Sequence, residues 1–437
     1  MTNFETATYR KVGRRLIPLL FLSYVVAYLD RVNVGFAKLG MASDLGFSDT
    51  VYGLGAGIFF LGYFLFEVPS NIILHRVGAR IWIARIMIGW GLVSAATMFV
   101  TTAPAFYTMR FILGVAEAGF FPGIILYLTY WFPRTHRAGM IAAFMTAVAV
   151  AGVIGGPISG WIMGSFNGLG GLAGWQWLFL LEGLPSAVVG VVVLLYLDNG
   201  PAMARWLTEP ERALLVERLA EDERTKEAVG GHRTTIAGAL TDPRVWILAT
   251  VYFGLALGLY AISFWLPQII KETITTDNVA IGFISAIPWL AAGVAMTWNG
   301  RRSDRTGERR WHVAGPAFLG GLGLAASALP GVGGWAGIGA ITVATAGILS
   351  AMSCFWSLPT AILSSTAAAV GIAWINSVGN LAGYASPFLV GKIRDATQSM
   401  VAALWLLAGA LVVSGLLVLL PRLQNSGRGV RVTPKSL

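Results

Sequence analysis

A chain of 437 residues that is 56% hydrophobic and only 12% charged, with a mean hydropathy of +0.70, carries too much apolar surface for one water-soluble core. Its formal net charge of +10 is large enough for a nucleic-acid binder, but the basic residues skip every second loop, so no nucleic-acid partner is expected. The single cysteine, Cys354, excludes an intramolecular disulfide framework or a cysteine metal cluster; it is expected to be a small buried apolar residue, and no metal site is expected.

Stretches able to cross about 30 Å of hydrocarbon, roughly 20 residues each, recur along the chain. Twelve are read, at 15–37, 52–74, 82–101, 104–131, 138–163, 175–198, 244–268, 279–299, 313–331, 335–358, 362–391 and 400–421, which makes this an all-α membrane protein. The first lacks a small-residue cleavage site and is too long for a signal-peptide core, so it is expected to remain as a span. Deep inside it lie Asp30 and Arg31. A charge at the centre of a spanning helix costs about 2.5–3.5 kcal/mol on insertion scales, so retained charges are candidates for function. Neighbours on a helix point about 100° apart, so one of the two can face a cavity while the other leans into packing.

In the second stretch Tyr63 lies one turn before Glu67. The fourth holds Arg110 and Glu117 on one helical face, roughly 10 Å apart along the axis, two stations rather than a contact pair. Gly114, Ala116, Ala118 and Gly119 around Glu117 permit close helix approach. In the fifth, Gly152-x-x-x-Gly156-Pro157-x-x-Gly160 resembles a motif associated with proton antiporters, but small residues at four-residue spacing also serve tight helix packing, the reading favoured here. Glu67 and Glu182 are expected near helix ends, in structural roles. All four histidines, His75, His136, His232 and His312, fall on loops or helix ends, so any proton exchange inside the membrane rests on carboxylates.

The hydropathy breaks once, at 199–243, where Thr208, Pro210 and Glu211 mark the start of a short amphipathic helix. This divides the chain into a six-helix bundle over 1–198, a linker over 199–243 and a second bundle over 244–437. Arg10, Lys11, Arg14 and Arg15, then Arg76 and Arg80, Arg134 and Arg137, Arg301 to Arg310, and Arg422 to Lys435 occupy alternate loops, while the intervening ones carry chiefly Lys38, Lys271, Lys392 and Arg394. The positive-inside rule then places both termini in the cytoplasm. The halves echo each other: Arg76 matches Arg305 and Gly78 matches Gly307, at nearly the offset that relates Pro157 to Pro387. Parallel repeats of six spans place a substrate site near the midplane.

Gly300-x-x-x-Asp304-Arg305-x-Gly307-x-Arg309-Arg310 resembles the loop signature of the major facilitator superfamily, with a degenerate first copy at Asn71 to Arg80 that has His75 where the signature has an acid. Tyr28-Leu-Asp30-Arg31-Val-Asn33, Arg110 with Glu117, the run from Trp175 to Glu182, and Asn376-Ser-Val-Gly-Asn380 resemble the anion:cation symporter family within it. The resemblance covers essentially the whole chain and implies uptake of small organic anions such as sugar acids, tartrate, phthalate or hydroxyphenylacetate, mostly with protons. It implies Tyr28, Tyr63, Ser353 and Asn376 as polar lining, although packing for the tyrosines and a bond to a neighbouring helix for Asn376 stay open. Sugar-acid members carry an amide where this chain has Val148, and with Phe264, Trp265, Trp289 and Trp356 this favours a smaller or flatter carboxylate.

Asp30 and Glu117 are the candidates for proton coupling, since a carboxylate that takes a proton releases the arginine it was neutralising. Arg31 is the first choice for gripping substrate bidentately. Arg110 is either a second grip or the partner that resets Glu117. Arg76, Gly78 and Arg80 with Asp304, Arg305, Gly307 and Arg309 read as a charged latch biasing alternating access. No phosphate-binding nucleotide loop occurs, so neither an enzyme, nor ATP-driven pumping, nor a cofactor is expected. The expected partners are an organic anion, protons and the bilayer, with the chain a monomer in the bacterial inner membrane. Two alternatives remain, a proton-coupled exporter of drugs or metabolites and a transporter-like membrane sensor.

Overall fold

The computed structural model describes residues 3–228, 241–362 and 365–423, and among these the regular elements are helices. His232, most of the end of the linker, and the basic tail beyond 423 that includes Lys435 lie outside the described residues. The first half runs α1 (Asn3–Leu45), α2 (Asp49–Val77), α3 (Ala79–Ala96), α4 (Ala103–Glu117), α5 (Phe120–Thr129), α6 (Arg134–Ser165) and α7 (Gly174–Tyr196). After α8 (Glu209–Ala228) come α9 (Pro243–Thr273), α10 (Asn278–Thr306), α11 (Trp311–Ser327), α12 (Gly334–Phe355), α13 (Ser357–Ile362), α14 (Ser365–Thr397) and α15 (Val401–Val418).

Each of the twelve apolar stretches falls on helix. Ten candidate spans are long and apolar enough to cross a membrane by length and composition. The other two are α11, only 17 residues long, and α14, whose Asn376, Asn380, Lys392, Arg394 and Asp395 dilute its apolar character. The protein is thus a multi-pass membrane protein. The fourth stretch is two helices rather than one. Ala118 leaves helical geometry at φ −53°, ψ 131°, and Gly119 adopts a left-handed φ of 85°. A Cβ on Gly119 would stand 2.4 Å from the Ser70 hydroxyl of α2, so both the backbone turn and the close approach require glycine.

The linker helix begins where the sequence marks it. Pro210 sits in the first turn of α8, and the Glu211 carboxylate accepts from the Thr208 amide at 2.8 Å and pairs with Lys11 of α1 at 2.6 Å. Partial burial pushes the Glu211 carboxyl up, but Lys11 and Thr208 outweigh it and hold the group below the usual glutamate range. A second strap, Arg218 to Glu5 at 3.2 Å, also ties α8 to α1.

By packing, the chain forms two compact units: Met1–Gly231 with Ser263–Leu290 and Pro387–Asp395, and His232–Ile262 with Ala291–Ser386 and Ala396–Leu437. Within the first, the glycine series of α6 lies along α10. A Cβ on Gly156 would stand 2.5 Å from the Gly282 carbonyl, and one on Gly160 2.4 Å from the Asn278 carbonyl, so these glycines act as the packing seam their spacing suggests. In the second unit, the Asn299 amide donates to the carbonyls of His312 (2.9 Å) and Ser350 (3.0 Å), joining α10, α11 and α12 beside the buried Cys354.

At one end of the first unit an ionic clasp joins α1, α2, α9 and α14. Lys38 reaches one Asp49 oxygen at 2.6 Å and Arg394 the other at 2.9 Å, while Arg394 also pairs with Glu272 at 2.6 Å. Asp395 accepts the backbone amides of Asp49 and Thr50, and Lys271 donates to the Leu39 carbonyl at 2.7 Å. Three of the four sparse basic residues on the less basic face are thus fixed in structure. Lys38 is 3% exposed and lies 4.1 Å from the Trp265 ring centroid. Asp49→Asn strands that buried ammonium, whereas Lys38→Met leaves Asp49 with Arg394. We expect Asp49→Asn to be the more destabilising substitution, by roughly 2–3 kcal/mol, less than for a fully dry pair. Thermal unfolding in detergent checks this, and equal melting temperatures would contradict it.

Candidate functional site

Asp30 and Arg31, adjacent on α1, point into two different groups of side chains. Asp30, 1% exposed, turns into the packing between α3 and α7. It accepts from Trp90 Nε1 (3.0 Å), Ser94 Oγ (2.8 Å) and Ser186 Oγ (2.5 Å), a set of neutral donors with no guanidinium among them. Arg31, the next residue, points instead to α4, where its Nη2 pairs with Glu117 Oε1. Asp30 is thus the member of the two that leans into packing, while Arg31 turns to Glu117.

Around the Arg31–Glu117 pair the walls are aromatic. The Arg31 guanidinium carbon lies 5.5 Å from the ring centroids of both Phe59 and Tyr63 on α2, and that of Arg110 lies 5.2 Å from Phe59. Phe59 is therefore shared by two cations, each attracted to the ring quadrupole. Sequence reasoning missed it, although its place one turn before Tyr63 was the available signal. Arg110 is fully buried; its Nε donates to the Gly55 carbonyl at 3.4 Å, while Nη1 and Nη2 have no hydrogen-bond partner among the described residues. Glu117 Oε2 is likewise buried without a partner among them. Two donor atoms and one acceptor thus stand buried without a hydrogen-bond partner among the described residues, an arrangement that is costly unless something polar meets them. Close approach makes this possible: a Cβ on Gly114 would stand 2.0 Å from the Phe59 carbonyl, so α2 and α4 touch backbone to backbone.

Arg31, Glu117, Arg110 and Tyr63 are thus brought together, with Asp30 one residue away on α1. Tyr28, 5% exposed, packs edge-on against Trp289 at 6.1 Å. Ser353, Trp356 and Asn376 belong to the other compact unit. There the Ser353 hydroxyl donates to the Ser350 carbonyl at 2.8 Å, Trp356 rests 4.8 Å from Tyr252, and Asn376 is half-buried on α14. Of the latch residues, Arg80 Nε donates to the Leu194 carbonyl at 2.6 Å and its amide to Asn199, and Gly78 has φ 95°. In the second unit Arg309 pairs with Asp304 at 2.6 Å and Gly307 has φ 68°; Arg76 and Arg305 are exposed.

Two carboxylates are not where the sequence suggested. Glu182 lies well inside α7, 5% exposed, and accepts from Ser159 of α6 at 2.7 Å, rather than reaching water or a loop arginine. Glu67 sits within α2, which continues through Pro69 to Val77, rather than at a helix end. Proline in a span does not end the helix when neighbouring elements hold it.

The model of the major facilitator superfamily matches residues 20–387. The chain belongs to the major facilitator superfamily. A relative from Agrobacterium vitis that carries the name of a tartrate transporter is 49% identical over 433 residues, 99% of each chain. A protein from Acinetobacter baumannii named as a quinolone resistance transporter is 40% identical over 93% of each. The structure of the xylose transporter XylE from E. coli, in a partially occluded inward-open conformation, superposes with a TM-score of 0.72 at 12% identity, covering 92% of this chain and 98% of that one, a likeness of fold. The protein is accordingly a transporter of small organic substrates rather than an enzyme.

If Arg31 and Glu117 neutralise each other, removing either charge leaves the other uncompensated. Arg31→Gln and Glu117→Gln should each cost about 3 kcal/mol, the low end for a buried pair because Arg31 retains 13% side-chain exposure. The double variant should lose at least about 1 kcal/mol less than the sum. Melting curves of the three variants measure this coupling; strictly additive losses would remove it.

Proposed function

We propose that this transporter imports a small organic carboxylate together with protons, by alternating access across the bacterial inner membrane, with both termini in the cytoplasm. The observation that carries the reading is the fully buried Arg110 guanidinium, unpartnered at both Nη atoms among the described residues, beside an arginine already held by a carboxylate. Such a site suits an anion. Protonation of Glu117 releases Arg31 to grip the substrate bidentately, with Arg110 as second grip, so proton and anion bind cooperatively. Asp30 is the second proton-coupling candidate. Tyr28, Tyr63, Ser353, Trp356 and Asn376 complete the proposed lining, and Arg76, Gly78, Arg80, Asp304, Arg305, Gly307 and Arg309 the proposed latch. In this reading the 1–198 and 244–437 bundles rock about the site, joined by 199–243, and the name of the Agrobacterium relative supports a dicarboxylate such as tartrate.

The test is uptake of labelled tartrate and other small carboxylates into proteoliposomes. With one proton per charge of the anion, a gradient of one pH unit sustains at most about tenfold accumulation per proton, since one unit is worth about 1.36 kcal/mol. Each proton beyond neutrality also draws about 2.3 kcal/mol from ~100 mV. Glu117→Gln should keep binding but lose gradient-driven accumulation, and Arg31→Lys should lose binding severely. Uptake indifferent to the pH gradient rules out coupling. The Acinetobacter relative supports a second reading, export against protons; extrusion of a preloaded fluoroquinolone on imposing the gradient, with no carboxylate uptake, would favour it.

A further inference from the structure

A cavity of about 560 Å³ opens at the basic end of α1, far from the Arg31 cluster. Arg10, Lys11, Arg14 and Arg15 line it together with Tyr196 and Trp206, and among the described residues no carboxylate does. Arg15 is sixteen residues before Arg31, about 24 Å along the helix axis. Lys11 is matched by Glu211, but among the described residues Arg10, Arg14 and Arg15 have no carboxylate within ion-pair distance.

The site is built, not merely charged. The Arg15 guanidinium lies 4.3 Å from the Tyr196 ring centroid and 4.8 Å from that of Trp206, so two aromatic rings hold it in place. Its Nε is buried without a hydrogen-bond partner among the described residues. Trp206 is itself fixed, stacked on Trp131 at 5.7 Å and donating to Asp198 at 2.9 Å. On the membrane side of Tyr196 the α7 surface is apolar and open: Val188, Val192 and Leu195 are 63%, 42% and 76% exposed. A ligand for this place has an anionic phosphate for the arginines and a hydrocarbon tail for the α7 face, at the depth where tyrosine and tryptophan mark the interface.

We propose that this cavity binds an anionic phospholipid of the surrounding leaflet, its phosphate held by Arg10, Arg14 and Arg15 and an acyl chain lying along Val188, Val192 and Leu195. A free phosphate would satisfy the arginines but not the apolar stripe, which is why the lipid is favoured.

The test uses the full-length protein in detergent, with native mass spectrometry and thermal unfolding against phosphatidylglycerol, phosphatidylcholine of the same chains, and soluble glycerol phosphate. Phosphatidylglycerol should bind and raise the melting temperature, and the other two should do neither. Each neutralised cation should weaken binding about fivefold, so Arg10→Gln/Arg14→Gln/Arg15→Gln should lose roughly 100-fold. Should that variant fail to fold, Arg14→Gln alone, expected to lose about fivefold, and the headgroup comparison on the unaltered protein carry the test. Equal binding of the two lipids, equal binding of glycerol phosphate, or a charge-neutralised variant with undiminished affinity for phosphatidylglycerol overturns the proposal.

Discussion

The ion pair between Arg31 and Glu117 is the interaction on which the rest of the first unit turns. Two opposite charges withdrawn from water are tolerated only when each has the other and the geometry holds them. The surroundings supply that geometry: α2 and α4 meet at Gly114, and the rings of Phe59 and Tyr63 flank the guanidinium. The same surroundings leave Arg110 with unspent donors. Under the proposed function, one neutralised and one unneutralised arginine side by side would give an affinity for anions that depends on the state of a single carboxylate. In the proposed function, this dependence is what would couple a proton to a negatively charged substrate.

Much of this was legible in the sequence because a bilayer imposes a simple code. Apolar runs of the right length located the spans, and the rarity of charge inside them singled out Asp30, Arg31, Arg110 and Glu117. Thr208, Pro210 and Glu211 located the start of α8 because capping chemistry is local. The glycine series of α6 proved to be the packing surface its spacing allowed.

What was illegible is long-range. The partner of Arg31 lies 86 positions away, and no local pattern selects it over Asp30 next door. Nor does anything nearby in sequence say that Trp90, Ser94 and Ser186 converge on Asp30, since each is unremarkable on its own helix. The break at Ala118 and Gly119 was hidden because hydropathy continues smoothly across it. Nothing nearby in sequence marks Asp49 and Glu272 as acids of the clasp, since their partners Lys38 and Arg394 come from other helices. Glu182 was misplaced for a related reason: a carboxylate in the middle of a span is unexpected until Ser159 is seen beside it.

Asp30, with three donors from two other helices, gives the first span a keyed seat. A helix held so cannot spin about its own axis without discarding all three hydrogen bonds together, so the bearing of the next side chain is prescribed by the lock rather than by the charge it meets. Seat and ion pair thus fall on adjacent residues, and a substitution at Asp30 would also loosen the bearing of Arg31.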